Sequence, residues 1–260
     1  MIHLLDFLQK LFSLNHLPIT FYGRTDTGKV RKHNEDSFCT LRNRRLFVVA
    51  DGMGGHNAGE VASNLAIESL IDFFTKERIR KIRGNPNAIR HNLIAGLHHV
   101  NQVVMEQAAN NTEHTGMGCT FVVGLLDKNK MHICHVGDAR CYLLADGKLK
   151  QITTDHTGVT YFTSNNSSGE ETQKPRNVVT RAIGFPFSQD PEYHEVQLAP
   201  SDKILLCSDG LWSMVSDDEM EKIILNAQSP VEASEQLVAA ANDQGGRDNI
   251  TALVIFVEKQ

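Results

Sequence analysis

LFVVADGMGGHNAGE, residues 46–60, is the stretch from which the rest of the chain can be read. Its apolar run, Leu46, Phe47, Val48, Val49 and Ala50, has the length of one buried strand and is too short for a core helix. The run stops at Asp51, and Gly52, Gly54 and Gly55 follow. Beyond Asn57 the apolar residues Val61, Leu65, Ile67, Leu70, Ile71 and Phe74 fall on one helical face, which predicts a helix over 58–75. A carboxylate is thus set at the rigid end of a strand, beside glycine backbone whose carbonyls can approach a ligand closely.

The device recurs. KILLCSDG (203–210) is an apolar strand running into Asp209, and MHICHVGD (131–138) runs into Asp138. Asp36 precedes the strand-like SFCTL, and Asp248 precedes NITALVIFV. One such stretch reads equally well as a solvated turn. Five carboxylates converging from strand ends would repel one another strongly unless a cation lay between them. A shared divalent metal is the economical reading.

At 260 residues the chain has room for one large domain or two small ones, with a full core. A net charge of −5 argues against a nucleic-acid-binding role, which usually shows a basic face. Five cysteines without a C-x-x-C pair, in a chain with no secretory signal, point to reduced thiols and a cytoplasmic location. Cys119, Cys134 and Cys207 sit in apolar strand patterns, as core-filling thiols do.

Residues 1–17 carry a helical apolar stripe interrupted by Asp6 and Lys10, which fits neither a signal peptide nor a membrane span. The chain is therefore divided into an amphipathic helical extension, 1–18, and a domain over 19–260. The extension reads as a helix docked on the domain, with a membrane-surface or partner-binding helix as the other reading. In the domain, Arg31 could pair with Glu35 or Asp36 on the surface, or grip a phosphate with its planar fork. KERIRKIRGNPN (76–87) reads as a solvated basic loop, and 87–110 as a helix on which His98 and His99 face different ways. Short turns between strand runs, including Ala145-Asp146-Gly147, mean antiparallel pairing. The polar segment 155–173 reads as a mobile excursion, and 217–227 and 230–242 as two final helices.

With these residues in hand, the sequence resembles the metal-dependent Ser/Thr protein phosphatases of type 2C, in their bacterial branch. The matching pieces are VRKHNEDSF, VVADGMGGHNAGEVAS, GCTFVVGLL, HVGDARCYLL, TTDH, VVTRAIG, ILLCSDGLW and GGRDNITALVI, in the family's order across residues 20–257. The resemblance implies an α+β fold, a four-layer α-β-β-α sandwich of two antiparallel sheets flanked by helix pairs. It implies that Asp51 bridges two ions, with the Gly52 carbonyl as a further ligand. Asp209 and Asp248 would complete the first ion's shell, and Glu35 and Asp36 would act on the other side, partly through water. Arg31 would hold the substrate phosphate, and Asp138 matches the position of a weaker third site. All are hard oxygen donors, which favour Mn²⁺ or Mg²⁺ over zinc.

The chemistry so implied is hydrolysis of phosphoserine and phosphothreonine by a water bridging two ions, without a covalent intermediate. The implied partners are phosphoprotein substrates and a cognate Ser/Thr kinase, for a monomer without nucleic acid or membrane span. Two departures stand out. Met53 replaces the His of animal members, leaving proton donation to metal-bound water, or less favourably to His56 or His156; alanine at either His is expected to keep most activity. Ser213 replaces the second Asp of D-G-x-x-D, which weakens the third ion's case. The segment 155–173 takes the place of the family's flap. A catalytically weak phosphoprotein-binding or signalling module on the same fold would lack a core carboxylate, yet Asp36, Asp51, Asp209 and Asp248 are all present. A metal nuclease is disfavoured by the acidic net charge.

Overall fold

A computed structural model describes residues 17–55, 58–165 and 171–259. Residues 1–16, and with them nearly all of the expected N-terminal helix, lie outside the described residues, as do His56 and 166–170. The strands are β1 (Ile19–Asp26), β2 (Asp36–Leu41), β3 (Leu46–Met53), β4 (Gly118–Asp127), β5 (Lys130–Val136), β6 (Arg140–Ala145), β7 (Lys148–Gln151), β8 (Thr157–Asn165), β9 (Glu171–Val179), β10 (Glu192–Gln197), β11 (Lys203–Cys207) and β12 (Ile250–Val257). The helices are α1 (Ala58–Phe73), α2 (Lys76–Ile82), α3 (Pro86–Asn110), α4 (Asp209–Trp212), α5 (Asp217–Asn226) and α6 (Pro230–Asp243).

Two five-stranded sheets form, in the orders β1-β12-β11-β6-β7 and β10-β5-β4-β3-β2, and every neighbouring pair in them is antiparallel. Three apolar layers show how they stack. Phe47, Val49, Val122, Ile133, Leu206, Leu253 and Ile255 fill the space between the sheets. The opposite faces of β3 and β4, through Val48, Ala50, Phe121 and Val123, pack on Ala62, Leu70, Leu93 and Leu97 of α1 and α3. Leu205, Ala252 and Val254 pack on Met220, Ile224, Leu237 and Ala241 of α5 and α6. This is the expected four-layer sandwich. It explains why the central strands read as unbroken apolar runs: all residues of β4 and β12 are buried, because both faces are covered.

Two segments differ from expectation. The basic stretch after α1 is the helix α2 rather than a solvated loop. Thr75 caps it by accepting the Arg78 N–H, Glu77 and Lys81 pair one turn apart, and Ile79 and Ile82 insert into the core. Two apolar residues three apart suffice to dock one face of a short helix, however charged the others are. The polar segment expected as an excursion is a hairpin, β8 paired with β9 from Thr157↔Val179 to Asn165↔Glu171.

Candidate active site

The site lies where the ends of both sheets meet. Asp36 opens β2 and sits directly across from Asp51 in the β2–β3 ladder. Asp51 faces Thr120 on its other side, so its backbone is fixed by two neighbouring strands. β3 does not stop at Asp51 but continues through Gly52 and Met53, paired with Cys119 and Gly118. From the other sheet, Asp209 is the first residue of α4, one residue beyond the end of β11, and Asp248 lies in the turn before β12. Asp138 occupies the β5–β6 loop. Chain positions more than two hundred residues apart are thereby brought together.

Arg31, Glu35, Asp51, Gly52, Met53, Gly54, Thr120, Asp138, Val178, Val179, Asp209 and Asp248 line a cleft of about 380 Å³. Val178 and Val179 belong to the end of the β8–β9 hairpin, which therefore forms one wall. Asp36 is not among the lining residues: it lies beneath, 6% exposed. Its Oδ2 accepts hydrogen bonds from Ser208 Oγ and Thr251 Oγ1, each at 2.6 Å, while its Oδ1 is buried without a partner.

Close backbone approach makes glycine obligatory at two places. A Cβ on Gly52 would collide with the Gly59 and Glu35 carbonyl oxygens, and one on Gly210 with the Asn249 carbonyl oxygen. Asn249 ties the loop before β2 to the β12 turn. Its Oδ1 accepts the Glu35 N–H at 2.8 Å, and its Nδ2 donates to the Thr27 and His33 carbonyls at 2.9 Å.

The carboxyls repel one another and are short of solvent. Burial, then Asp36, Asp209, Asp138 and Asp248, raise Asp51 well above the usual carboxylate range. Burial, then the neighbouring Asp248, raise Asp209, although a hydrogen bond shared with Asp51 and the charge of Arg31 oppose the rise. Asp36 and Asp138 are each pushed up to about 7, chiefly by burial. Glu35 is raised too, again mainly by desolvation. Arg31, the one cation lining the cleft among the described residues, donates from Nη2 to Asp248 Oδ2 at 2.6 Å. Its partner is therefore Asp248, not Glu35 or Asp36, and the side chain remains 52% exposed.

This donor set fits a hard divalent cation. It offers several carboxylates, a glycine backbone in the cleft and a buried carboxylate oxygen with nothing to bind. A cation would offset the repulsion that otherwise forces protons onto the cluster. His156 is not a cleft residue. Its Nδ1 accepts the Gly137 N–H and its Nε2 faces Glu192 and Arg181, so neither nitrogen is free to serve as a proton donor to the cleft.

The family model described as "Protein phosphatase 2C" matches residues 23–250. This chain belongs to the protein phosphatase 2C family. It is similar to the serine/threonine phosphatase stp of Listeria welshimeri, 37% identical over 238 residues, covering 89% of this chain and 93% of the relative. The serine/threonine phosphatase PstP/Ppp of Mycobacterium tuberculosis superposes with a TM-score of 0.77 at 33% identity, over 93% of this chain and 99% of that one. A catalytic domain of PstP in complex with 2 manganese ions gives a TM-score of 0.75 at 31% identity, over 93% and 99%.

Several residues that build this phosphatase site escape a reading by sequence pattern. Ser208, Thr251 and Asn249 hold Asp36 and Glu35, yet in sequence they look like ordinary polar punctuation beside Asp209 and Asp248. The signal in the sequence is a hydroxyl set against an apolar run, Ser208 after KILLC and Thr251 within ITALVIFV; both prove fully buried. Trp212, whose Nε1–H donates to the Asp138 carbonyl at 3.0 Å, supports the β5–β6 loop, although in sequence it is only one letter of the motif after Asp209.

Proposed function

We propose that the chain hydrolyses phosphoserine and phosphothreonine in proteins, with two Mn²⁺ or Mg²⁺ ions held by the carboxylate cluster. The observation that carries this is the convergence of Asp51, Asp209 and Asp248 in one cleft with Arg31, over the buried, half-satisfied Asp36. Asp51 and the neighbouring Gly52 carbonyl would hold the ions. Asp209, Asp248, Glu35 and Asp36 would complete their shells. Asp138 would hold a weaker third ion, for which Ser213 offers no second carboxylate.

When bound, the ions supply Lewis-acid activation of water and neutralise charge on the phosphoryl group. The chain's own residues do the rest. Ser208 and Thr251 hold Asp36 in one orientation by donating to a single oxygen, which leaves the other for the ligand side. Arg31, exposed and anchored at one nitrogen on Asp248, presents its remaining N–H groups to an incoming phosphate. Val178 and Val179 close part of the cleft and limit water access. No covalent phosphoenzyme is needed. None of the five cysteines lines the cleft, and burial raises the thiol pKa of each, so none is a ready thiolate nucleophile.

The substrates on this reading are phosphoproteins made by a cognate Ser/Thr kinase, and the enzyme acts as a cytoplasmic monomer. Among the described residues no helix is long and apolar enough to cross a membrane. The test is manganese-dependent release of phosphate from a phosphothreonine peptide and from p-nitrophenyl phosphate. Turnover of both, abolished by chelator, supports the reading; no turnover at millimolar Mn²⁺ would favour a phosphoprotein-binding module.

A further inference from the structure

We propose that His135, Glu192 and His194 form a second metal site, suited to zinc and distinct from the carboxylate cluster. Glu192 pairs directly with His135 across the β5–β10 ladder, and His194 follows two residues later on β10. Directly paired residues, and residues two apart on a strand, project from the same face of a sheet. The three side chains therefore meet on two hydrogen-bonded strands, a rigid platform rather than a loop. One ligand atom from each lies within 4.8 Å of the others. Glu192 Oε1 is 3.2 Å from His194 Nε2, and Oε2 is 4.0 Å from His135 Nε2. A tetrahedral ion with bonds of about 2.0–2.1 Å keeps its ligand atoms about 3.3 Å apart, so small side-chain rotations complete the shell.

The hydrogen bonding around these groups is what a ligand set needs. Two buried imidazole nitrogens, His135 Nδ1 and His194 Nε2, have no hydrogen-bond partner. His135 is 0% exposed, and its Nε2–H donates to the Thr154 carbonyl at 2.9 Å. That bond fixes the tautomer and leaves a bare lone pair on Nδ1, as a backbone carbonyl does for a metal-bound histidine. The nitrogen within 4.0 Å of Glu192 is Nε2, so the ion takes Nε2 once the ring gives up Thr154, or Nδ1 once the ring turns that atom towards Glu192. Burial pushes His135 down to about 4, so it is a neutral ligand at pH 7.

His156 supports the site without being a ligand. Its Nδ1 accepts the Gly137 N–H at 3.1 Å, so its Nε2 carries the proton and donates to Glu192 Oε2 at 3.1 Å. Its ring stacks on His135 with centroids 4.6 Å apart. Arg181 Nη1 lies 3.0 Å from His156 Nε2, and its charge opposes a cation; the Glu192 carboxylate offsets it. Two imidazoles and one carboxylate favour zinc over Mg²⁺ or Mn²⁺, whereas the all-oxygen cluster has the reverse preference. Three protein ligands leave a fourth position for water. A bound ion would tie β5 to β10 and, through His156, to the foot of the β8–β9 hairpin.

The test uses the full chain, stripped with chelator, refilled with saturating Mg²⁺ to occupy the carboxylate cluster, and then exposed to ZnCl₂. Zinc retained after gel filtration is measured by mass spectrometry, and its position by an anomalous difference map at the zinc edge. The expected result is about one zinc per chain with a peak between His135, Glu192 and His194, and an affinity about 100-fold or more weaker in His194→Phe and in Glu192→Gln, since loss of even a supporting partner costs about 10–100-fold. His194→Phe should keep its Mn²⁺-dependent activity in zinc-free buffer, which checks that it is folded. A peak only at Asp51, Asp209 and Asp248, no retained zinc, or unchanged affinity in both variants would overturn the assignment.

Discussion

Replacing Asp36 with Asn should stabilise the metal-free protein at pH 8 while removing its Mn²⁺-dependent catalysis. Burial lifts the Asp36 carboxyl from an ordinary 3.8 to about 7 in the folded chain. At about 1.4 kcal/mol for each tenfold change in acidity, keeping it ionised in the fold costs about 4 kcal/mol above pH 7. The sign follows from proton binding: the folded state holds this proton more tightly than the unfolded state. The penalty is therefore absent below the unfolded value, grows as pH rises, and is complete above the folded value. Asparagine carries no charge at any of these pH values. Its Oδ1 can accept from Ser208 and Thr251 as Asp36 Oδ2 does, which puts its NH₂ in the place of the unpartnered Oδ1. A buried, unsatisfied N–H group costs about 1–3 kcal/mol. The net gain at pH 8 is about 1–3 kcal/mol, and a chain of this size shifts its melting temperature by about 2–4 °C per kcal/mol. At pH 5 only about 2 kcal/mol of the penalty remains in the parent, which the unsatisfied N–H offsets, so the variant should lie within about 1 kcal/mol of the parent. Thermal melts in chelator at pH 5 and pH 8 measure this. A variant less stable than the parent at pH 8, or one with the same shift at both pH values, would refute the reasoning.

Asp209→Asn and Asp248→Asn should each lower Mn²⁺-dependent turnover by about a hundredfold or more, since a charged ligand to the ions is worth several kcal/mol. Circular dichroism should remain that of the parent, because both side chains lie in the cleft rather than in an apolar layer. Arg31→Ala should raise KM for phosphorylated substrates about tenfold, the worth of one charge-assisted phosphate contact, while the Mn²⁺ concentration for half-maximal activity changes little. Unchanged KM would argue against Arg31 as the phosphate contact.

The fold was legible wherever burial was two-sided. The apolar runs of β3, β4, β11 and β12 announce central strands, because both faces are covered and polar residues fall only towards the strand ends. The carboxylates stood out for the complementary reason: Asp51 and Asp209 end such runs, and a charge there needs a partner. The supports of the site were less legible. Ser208 and Thr251 matter through hydrogen bonds to Asp36, 172 and 215 residues away, and no local pattern encodes that distance. The same holds for Arg31, whose carboxylate partner is 217 residues distant rather than four or five. The helix α2 was obscured by its charges, since only Ile79 and Ile82 dock it. The β8–β9 hairpin was obscured by polar composition. Its pairing comes from backbone hydrogen bonds, and the hydrophobic alternation that marks a strand is weak there.

The most direct measurement is an anomalous difference map collected at the manganese edge on crystals of the full chain grown with Mn²⁺. The account predicts two peaks about 3.5–4 Å apart with the Asp51 carboxylate between them, and Asp209 and Asp248 on one of the pair. Manganese absent from the cleft, or a single ion that Asp51 does not touch, would contradict it.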